Sequence, residues 1–184
     1  MIDRLPGTTI EIAVSNAEAV KAFLDNAFTC GGLMMSQVAR LTGLEPYMIQ
    51  NWVKRGFLPP PQKKLYSKRQ FCRIAIINML RDSMQIEKIT GLLSYINGRL
   101  DDESDDIIDD SALYLYYIDA ISKLEHPVID EVYISEHLQR VVADFSEPFP
   151  GAKKRLLKVL AVMINAHLAS ILRKRAEDIL NTLD

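Results

Sequence analysis

Cysteine, histidine and glycine are all scarce in this chain, and each scarcity removes a class of protein. Of 184 residues, two are cysteines, Cys30 and Cys72, far apart and outside any Cys-x-x-Cys spacing. That argues against a disulfide framework and fits a reduced, cytoplasmic protein. The three histidines, His126, His137 and His167, are isolated. No Ser/His/Asp or Cys/His set forms at local spacing, so no enzyme, metal or cofactor is expected. The eight glycines build no phosphate-binding loop, and Gly31-Gly32 reads as a turn. The opening MIDRLPGTTIEI lacks the charged-then-apolar plan of a signal peptide. The most apolar stretch, Val159 to Leu172, is short and interrupted by Asn165, His167 and Ser170, which falls below a bilayer span. Bulk basicity is missing too, since the net charge is −2.

What is present is an ordinary globular composition, 48% hydrophobic and 25% charged, with enough length for a real core. The charge is strongly segregated. Residues 40–99 hold eleven Lys/Arg against Glu45, Asp82 and Glu87, a net +8. Residues 100–150 come to −12 and residues 151–184 to +4. A basic block of this kind is the footprint of phosphate contact.

That block contains the most informative stretch, Ser36 to Tyr66. Ser36 is a good N-cap, and Val38, Ala39 and Leu41 give a first helix its apolar face. Thr42-Gly43 can stop that helix, and Pro46 suits the first turn of another. Ile49, Trp52 and Val53 share one face of this second helix, while Tyr47, Gln50, Asn51 and Lys54 point elsewhere. Gly56 stops it. The pattern is a helix-turn-helix, whose second helix enters the DNA major groove. Phe57-Leu58 and Leu65-Tyr66 flank the loop PPPQKK, which predicts a short edge hairpin, or wing.

Around it the chain reads as mostly α. Residues 1–14 form an irregular segment or a short extended arm. Ser15 or Asn16 caps a helix to about Asn26 that packs on the head through Ala19, Val20, Phe23, Leu24 and Phe28. Leu33-Met34-Met35 can be a short extended segment. Ser67 caps a helix with Phe71, Ile74, Ile77 and Met79-Leu80 inward. After a break near Ser83-Met84 another helix carries Ile89, Leu92, Leu93 and Ile96 and ends at Asn97-Gly98. The run DDESDDIIDDS, 101–111, reads as a solvated acidic boundary with no metal. A helix over 112–124 follows, with Leu113, Tyr116 or Tyr117, Ile121 and Leu124 apolar. His126-Pro127 breaks it. The helix over 129–145 has Ile129, Val132, Tyr133, Leu138, Val141, Val142 and Phe145 apolar. SEPFPG, 146–151, is a turn. From Ala152 to Leu183 runs one long helix, or two with a kink, buried in its own domain or against a second copy.

From Leu33 to Leu93 the chain resembles the winged-helix DNA-binding head of the MerR family of bacterial regulators. The matching marks are Val38-Ala39, Gly43-Leu44, Ile49 to Trp52, Gly56-Phe57-Leu58-Pro59, Leu65-Tyr66-Ser67 and Ile86-Glu87-Lys88-Ile89. Gln50 and Asn51 stand where that family places an arginine and a tyrosine. The head on a helical tail is also similar to a bacterial family of unknown function, number 1836. The whole chain reads as an N-terminal arm and packing helix at 1–32, a winged helix-turn-helix domain at 33–100 with a small β-hairpin wing, and an all-α dimerisation or effector region at 101–184, in which the long dimerisation helix and compact effector domain of the MerR family are not recognisable. The MerR-like head implies a homodimeric, sequence-specific transcription regulator on double-stranded DNA. Gln50 and Asn51 would pair with adenine, while Lys54, Arg55, Lys63, Lys64 and the Tyr66 hydroxyl hold phosphates. Ser36, Gln37 and Tyr47 complete the expected DNA-contacting set. Residues 152–183 are the candidate dimer element, and Tyr114, Tyr116, Tyr117 and Tyr133 a candidate effector pocket or interface. An architectural DNA-binding protein, or an interaction module that no longer binds DNA, are the alternatives.

Overall fold

The computed structural model describes residues 4–12, 17–100, 102, 104–124 and 130–183. It is mostly helical: eight helices and one two-stranded antiparallel sheet among the described residues. In chain order these are α1 (Ala17–Ala27), β1 (Leu33–Met34), α2 (Met35–Thr42), α3 (Pro46–Lys54), β2 (Leu65–Tyr66), α4 (Lys68–Leu80), α5 (Ile86–Asn97), α6 (Asp110–Ser122), α7 (Glu131–Val141) and α8 (Ala152–Leu180). The expected caps Ser15 and Asn16, the break at His126-Pro127 and Ile129 lie outside the described residues.

The centre is α4 packed against α6. Ser67 opens α4 through a reciprocal cap with Gln70: each side chain accepts from the other residue's backbone N–H, at 3.2 and 2.9 Å. From Gln70 to Leu80 every residue of α4 but Asn78 is buried. A helix apolar nearly all round belongs inside a core, and α6 covers it with Leu113, Tyr114, Tyr117 and Ile118, all fully buried.

The N-terminal arm is built into this core. Arg4 and Glu11 form an antiparallel bridge, and Leu5 between them is fully buried. The Tyr114 hydroxyl donates to the Pro6 carbonyl at 2.5 Å, and the Asn78 amide donates to the Gly7 and Thr42 carbonyls at 2.9 Å each. Gly7 has φ +73, and a Cβ there would meet the Ala75 carbonyl oxygen at 2.0 Å, so only glycine allows the arm to approach α4.

Three expectations are corrected here. First, α1 packs chiefly on α6 of the tail rather than on the head, with Val20 and Leu24 inward and Ala19 exposed. Phe28 still reaches α4, its ring 5.7 Å from that of Phe71. Second, the Phe57-Leu58 arm of the expected hairpin is not a strand. β2 pairs instead with β1, Leu33 opposite Tyr66 and Met34 opposite Leu65. Pro59, Pro60 and Pro61 have no N–H to donate, so the free edge of β2 is taken by the segment before α2. Third, Ser36 lies inside α2, whose cap is Met34.

The tail helices follow the pattern more closely. Asp130 caps α7, accepting from Val132 and Tyr133 N–H, though Val132 faces solvent. Glu147 in the preceding turn accepts from the Gly151 and Lys153 backbone at 3.0 Å each and so starts α8. α8 is one helix, buried at intervals up to Leu168 and exposed from Ile171 onward. By length and composition it could cross a membrane, with a mean hydropathy of 1.5 over its most apolar window. Core helices of soluble proteins share that property.

Candidate nucleic-acid interface

Two short helices and a tight turn create the exposed face. Gly43, φ 69, ends α2 in the left-handed conformation. Glu45 starts α3 with Pro46 at its first position, and its side chain makes no capping bond. α3 then buries Ile49 and Trp52. Tyr47, Gln50, Asn51 and Lys54 recur at i, i+3, i+4 and i+7, which places them on one face, and all four are exposed.

The other expected residues fare differently. Ser36 is exposed, but Gln37 is half-buried and its amide oxygen accepts from the Met34 N–H at 2.8 Å. Arg55 donates to Glu87 at 2.7 Å and stacks 4.5 Å over the Phe57 ring, so its charge is shared with α5. The Glu87 carboxyl is held below its ordinary value by its own backbone N–H and then by Arg55. Tyr66 is 1% exposed, and burial raises its pKa. The expected phosphate contact through its hydroxyl is therefore corrected: Tyr66 is a core residue.

Lys63 and Lys64 form the tip of a two-residue turn closed by Gln62 and Leu65, whose backbones exchange hydrogen bonds at 2.8 and 3.1 Å. Both lysines have positive φ, 48 and 66. Neither makes an ion pair among the described residues, and the same holds for Arg40, Lys54 and Lys88. The proline segment behind the turn is held by Gln70, whose amide donates to the Pro59 and Pro60 carbonyls at 3.0 and 2.9 Å.

The acidic run is exposed at Asp102, Ser104 and Asp105 but packs into the protein from Asp106 to Asp110. Asp110 is 1% exposed and accepts from Arg73 at 3.2 Å and from Asn97 at 3.0 Å. Arg69 donates to Asp106 and lies 3.7 Å from both Asp109 and Asp110. Burial raises the Asp106 pKa against the pull of Arg69. Asp109 also caps α6, accepting from the Ser111 N–H at 2.8 Å. Arg73 reaches the other way too, its Nε donating to the Phe57 carbonyl at 3.1 Å. The cluster thus ties α4 to the start of α6 and, through Arg73, to the segment that follows α3. Among the described residues, Arg55, Lys68, Arg69 and Arg73 of the basic block pair with carboxylates of the protein itself. Sequence reasoning missed this, although Ser67-x-x-Gln70 is a readable capping box, and Arg69 and Arg73 stand four residues apart on an otherwise apolar helix.

The four tyrosines do not line one pocket. Tyr114 and Tyr117 are fully buried with rings 6.5 Å apart. Tyr116 is half-buried and donates to Asp144 at 3.0 Å. Tyr133 stacks on His137 at 6.1 Å and lines a separate cleft of about 280 Å³ with Lys123, Arg140 and Val141. A larger cleft, about 780 Å³, lies beside the Gln62–Leu65 turn between Pro59, Pro60, Leu65, Arg69 and Asp109.

The protein is thus a mostly helical chain with a small antiparallel sheet beside a short helix pair. It belongs to the family described as Domain of unknown function (DUF1836), whose model matches residues 20–117, just over half of the chain. It is also similar to an uncharacterized protein, YkrK, of Bacillus subtilis (strain 168), at 27% identity over 161 residues covering 79% of this chain and 69% of that one. No solved structure matches it.

Proposed function

We propose that the chain is a sequence-specific DNA-binding transcription regulator with a MerR-like winged helix-turn-helix head. α2 and α3 are its helix-turn-helix and the Gln62–Leu65 turn its wing. The observation that carries the reading is the division of α3: Ile49 and Trp52 anchor it to the core, while Tyr47, Gln50, Asn51 and Lys54 stand together in solvent. A helix fixed on one face and polar on the other can lie in a major groove without rearrangement. Gln50 and Asn51 carry amides that match the adenine edge. Lys54 and the Lys63-Lys64 tip supply phosphate contacts that set register. Arg55 has a smaller part, because Glu87 already balances it.

Selection of bound duplexes from a random pool tests this. Enrichment of an inverted repeat is expected, since a dimer reads two half-sites. Asn51→Ala should relax specificity at one position at a cost of about 1–3 kcal/mol, whereas Lys54→Glu should weaken binding to all sequences alike. A pool that stays random through repeated rounds would remove the reading.

A further inference from the structure

The N-terminal arm, the turn between α2 and α3, the end of α4 and the middle of α8 meet around a pocket of about 290 Å³. Its walls are held from behind. Thr9 of the arm donates its hydroxyl to the Arg40 carbonyl of α2 at 2.8 Å. The Asn78 amide nitrogen spans the Gly7 and Thr42 carbonyls. That leaves Asn78 Oδ1 as an acceptor with no partner among the described residues. α8 adds His167 and Ser170, three residues apart and so on one face. Neither side chain makes a hydrogen bond among the described residues. Burial holds the His167 pKa below 6.5, so at neutral pH its imidazole is uncharged and offers one donor and one acceptor. At the rim stand Arg81 and Asp82, both exposed. Neither forms an ion pair among the described residues, and Arg81 reaches the Met48 sulfur of α3 at 3.8 Å.

We propose that this pocket binds a small α-amino acid, its carboxylate on Arg81 and its ammonium on Asp82 and Asn78 Oδ1. The charge set selects the ligand. Arg81 offers a fork of donors that suits a carboxylate, and Asp82 suits an ammonium. A molecule of one sign satisfies one of the two, whereas a compact zwitterion satisfies both at once. His167 and Ser170 can each give or take a hydrogen bond, so they can complete either end. The volume sits at the low end of the range of about 300–1,000 Å³ usual for ligand sites. Pro6 and Met79 are its apolar lining, which leaves little to cover a large apolar side chain. None of the four tyrosines considered above lines it. Thr42 and Gly43 in its wall form the turn that sets α3, so occupancy bears on the helix assigned above to DNA. As an effector site it rests on that reading. As a binding site it stands on the pocket alone and is tested without DNA.

Titration calorimetry of the full chain with each of the common free amino acids is the test. Saturable binding of a small one, such as glycine, alanine or serine, is expected. Acetate or methylamine alone should bind at least about tenfold more weakly, since each lacks one charged contact. Arg81→Gln and Asp82→Asn should each weaken binding by about tenfold or more. Their circular dichroism should be unchanged, because both positions are exposed. Ser170→Leu fills the pocket and should abolish binding. Binding of no amino acid overturns the proposal, and so does binding that survives all three changes. Acetate that binds as tightly as glycine overturns the zwitterion. A chain that binds the amino acid with no effect on DNA affinity upholds the pocket and removes its effector role. A chain that binds the amino acid but no DNA upholds the pocket and removes only the regulator reading.

Discussion

Arg73 is 4% exposed in the most buried helix of the chain, and a charge there is tolerable only while Asp110 and the Phe57 carbonyl hold it. Removing one partner of a buried pair leaves an uncompensated charge, which costs about 3–5 kcal/mol. Asp110→Ala should therefore lower Tm by more than about 6 °C in a scanning calorimeter. The double change Arg73→Met with Asp110→Leu should recover much of the loss. The opposite case is Tyr117. Its hydroxyl is buried and has no hydrogen-bond partner among the described residues, so Tyr117→Phe should leave stability unchanged or raise it. His167 packs edge-on to the Tyr117 ring at 5.9 Å, and burial holds its pKa below the ordinary 6.5. As pH falls through 6.5 the unfolded chain takes up a proton that the folded chain refuses. Stability is lost over that window until the folded pKa is passed. Urea titrations of the native chain and His167→Gln should diverge there, the native chain losing more with falling pH.

At the level of elements, the Gln62–Leu65 turn holds two lysines in a conformation that favours other residues. A two-residue turn with positive φ at both central positions suits Asn-Gly, yet Lys63-Lys64 occupies it. Replacing the pair by Asn-Gly should stabilise the fold by about 1–2 kcal/mol. On the reading proposed above it should also weaken DNA binding and reduce the slope of log K against log salt by about 2, since two phosphate contacts go. An unchanged slope would mean the tip does not meet DNA. The same elements show what sequence can and cannot reveal. The helices α2 to α5 were legible because glycine, proline and serine punctuate a clear 3.6 period at Gly43, Pro46, Gly56 and Ser67. The exposed set on α3 followed from the same period. The pairing of β2 with Leu33-Met34 was not legible, because a two-residue strand carries no alternation. Nor was the Arg69 and Arg73 cluster, because charge along a chain does not say which cations meet carboxylates thirty or more residues away. Tyr66 looked like a contact residue only because tyrosine suits both a core and a phosphate.

Over the whole molecule, a single apolar cluster runs from Leu5 to Leu168. The segment 33–100, which carries the proposed DNA-reading face, contributes α4 to that cluster, and α6 and α8 cover much of it. Cut out alone, it would expose fully buried residues such as Phe71, Ile74, Ile76 and Ile77, each worth about 1.5–3 kcal/mol of burial. It would also strand Arg73 without Asp110. That total exceeds the margin of an ordinary domain, so a 33–100 fragment should show no cooperative thermal transition. A chain ended at residue 170 loses only exposed residues. It should melt cooperatively, with a Tm close to that of the full chain. A sharp melt of the 33–100 fragment would show that the reading face is an independent unit. The arm, α6 and α8 would then be attachments to it and not its support.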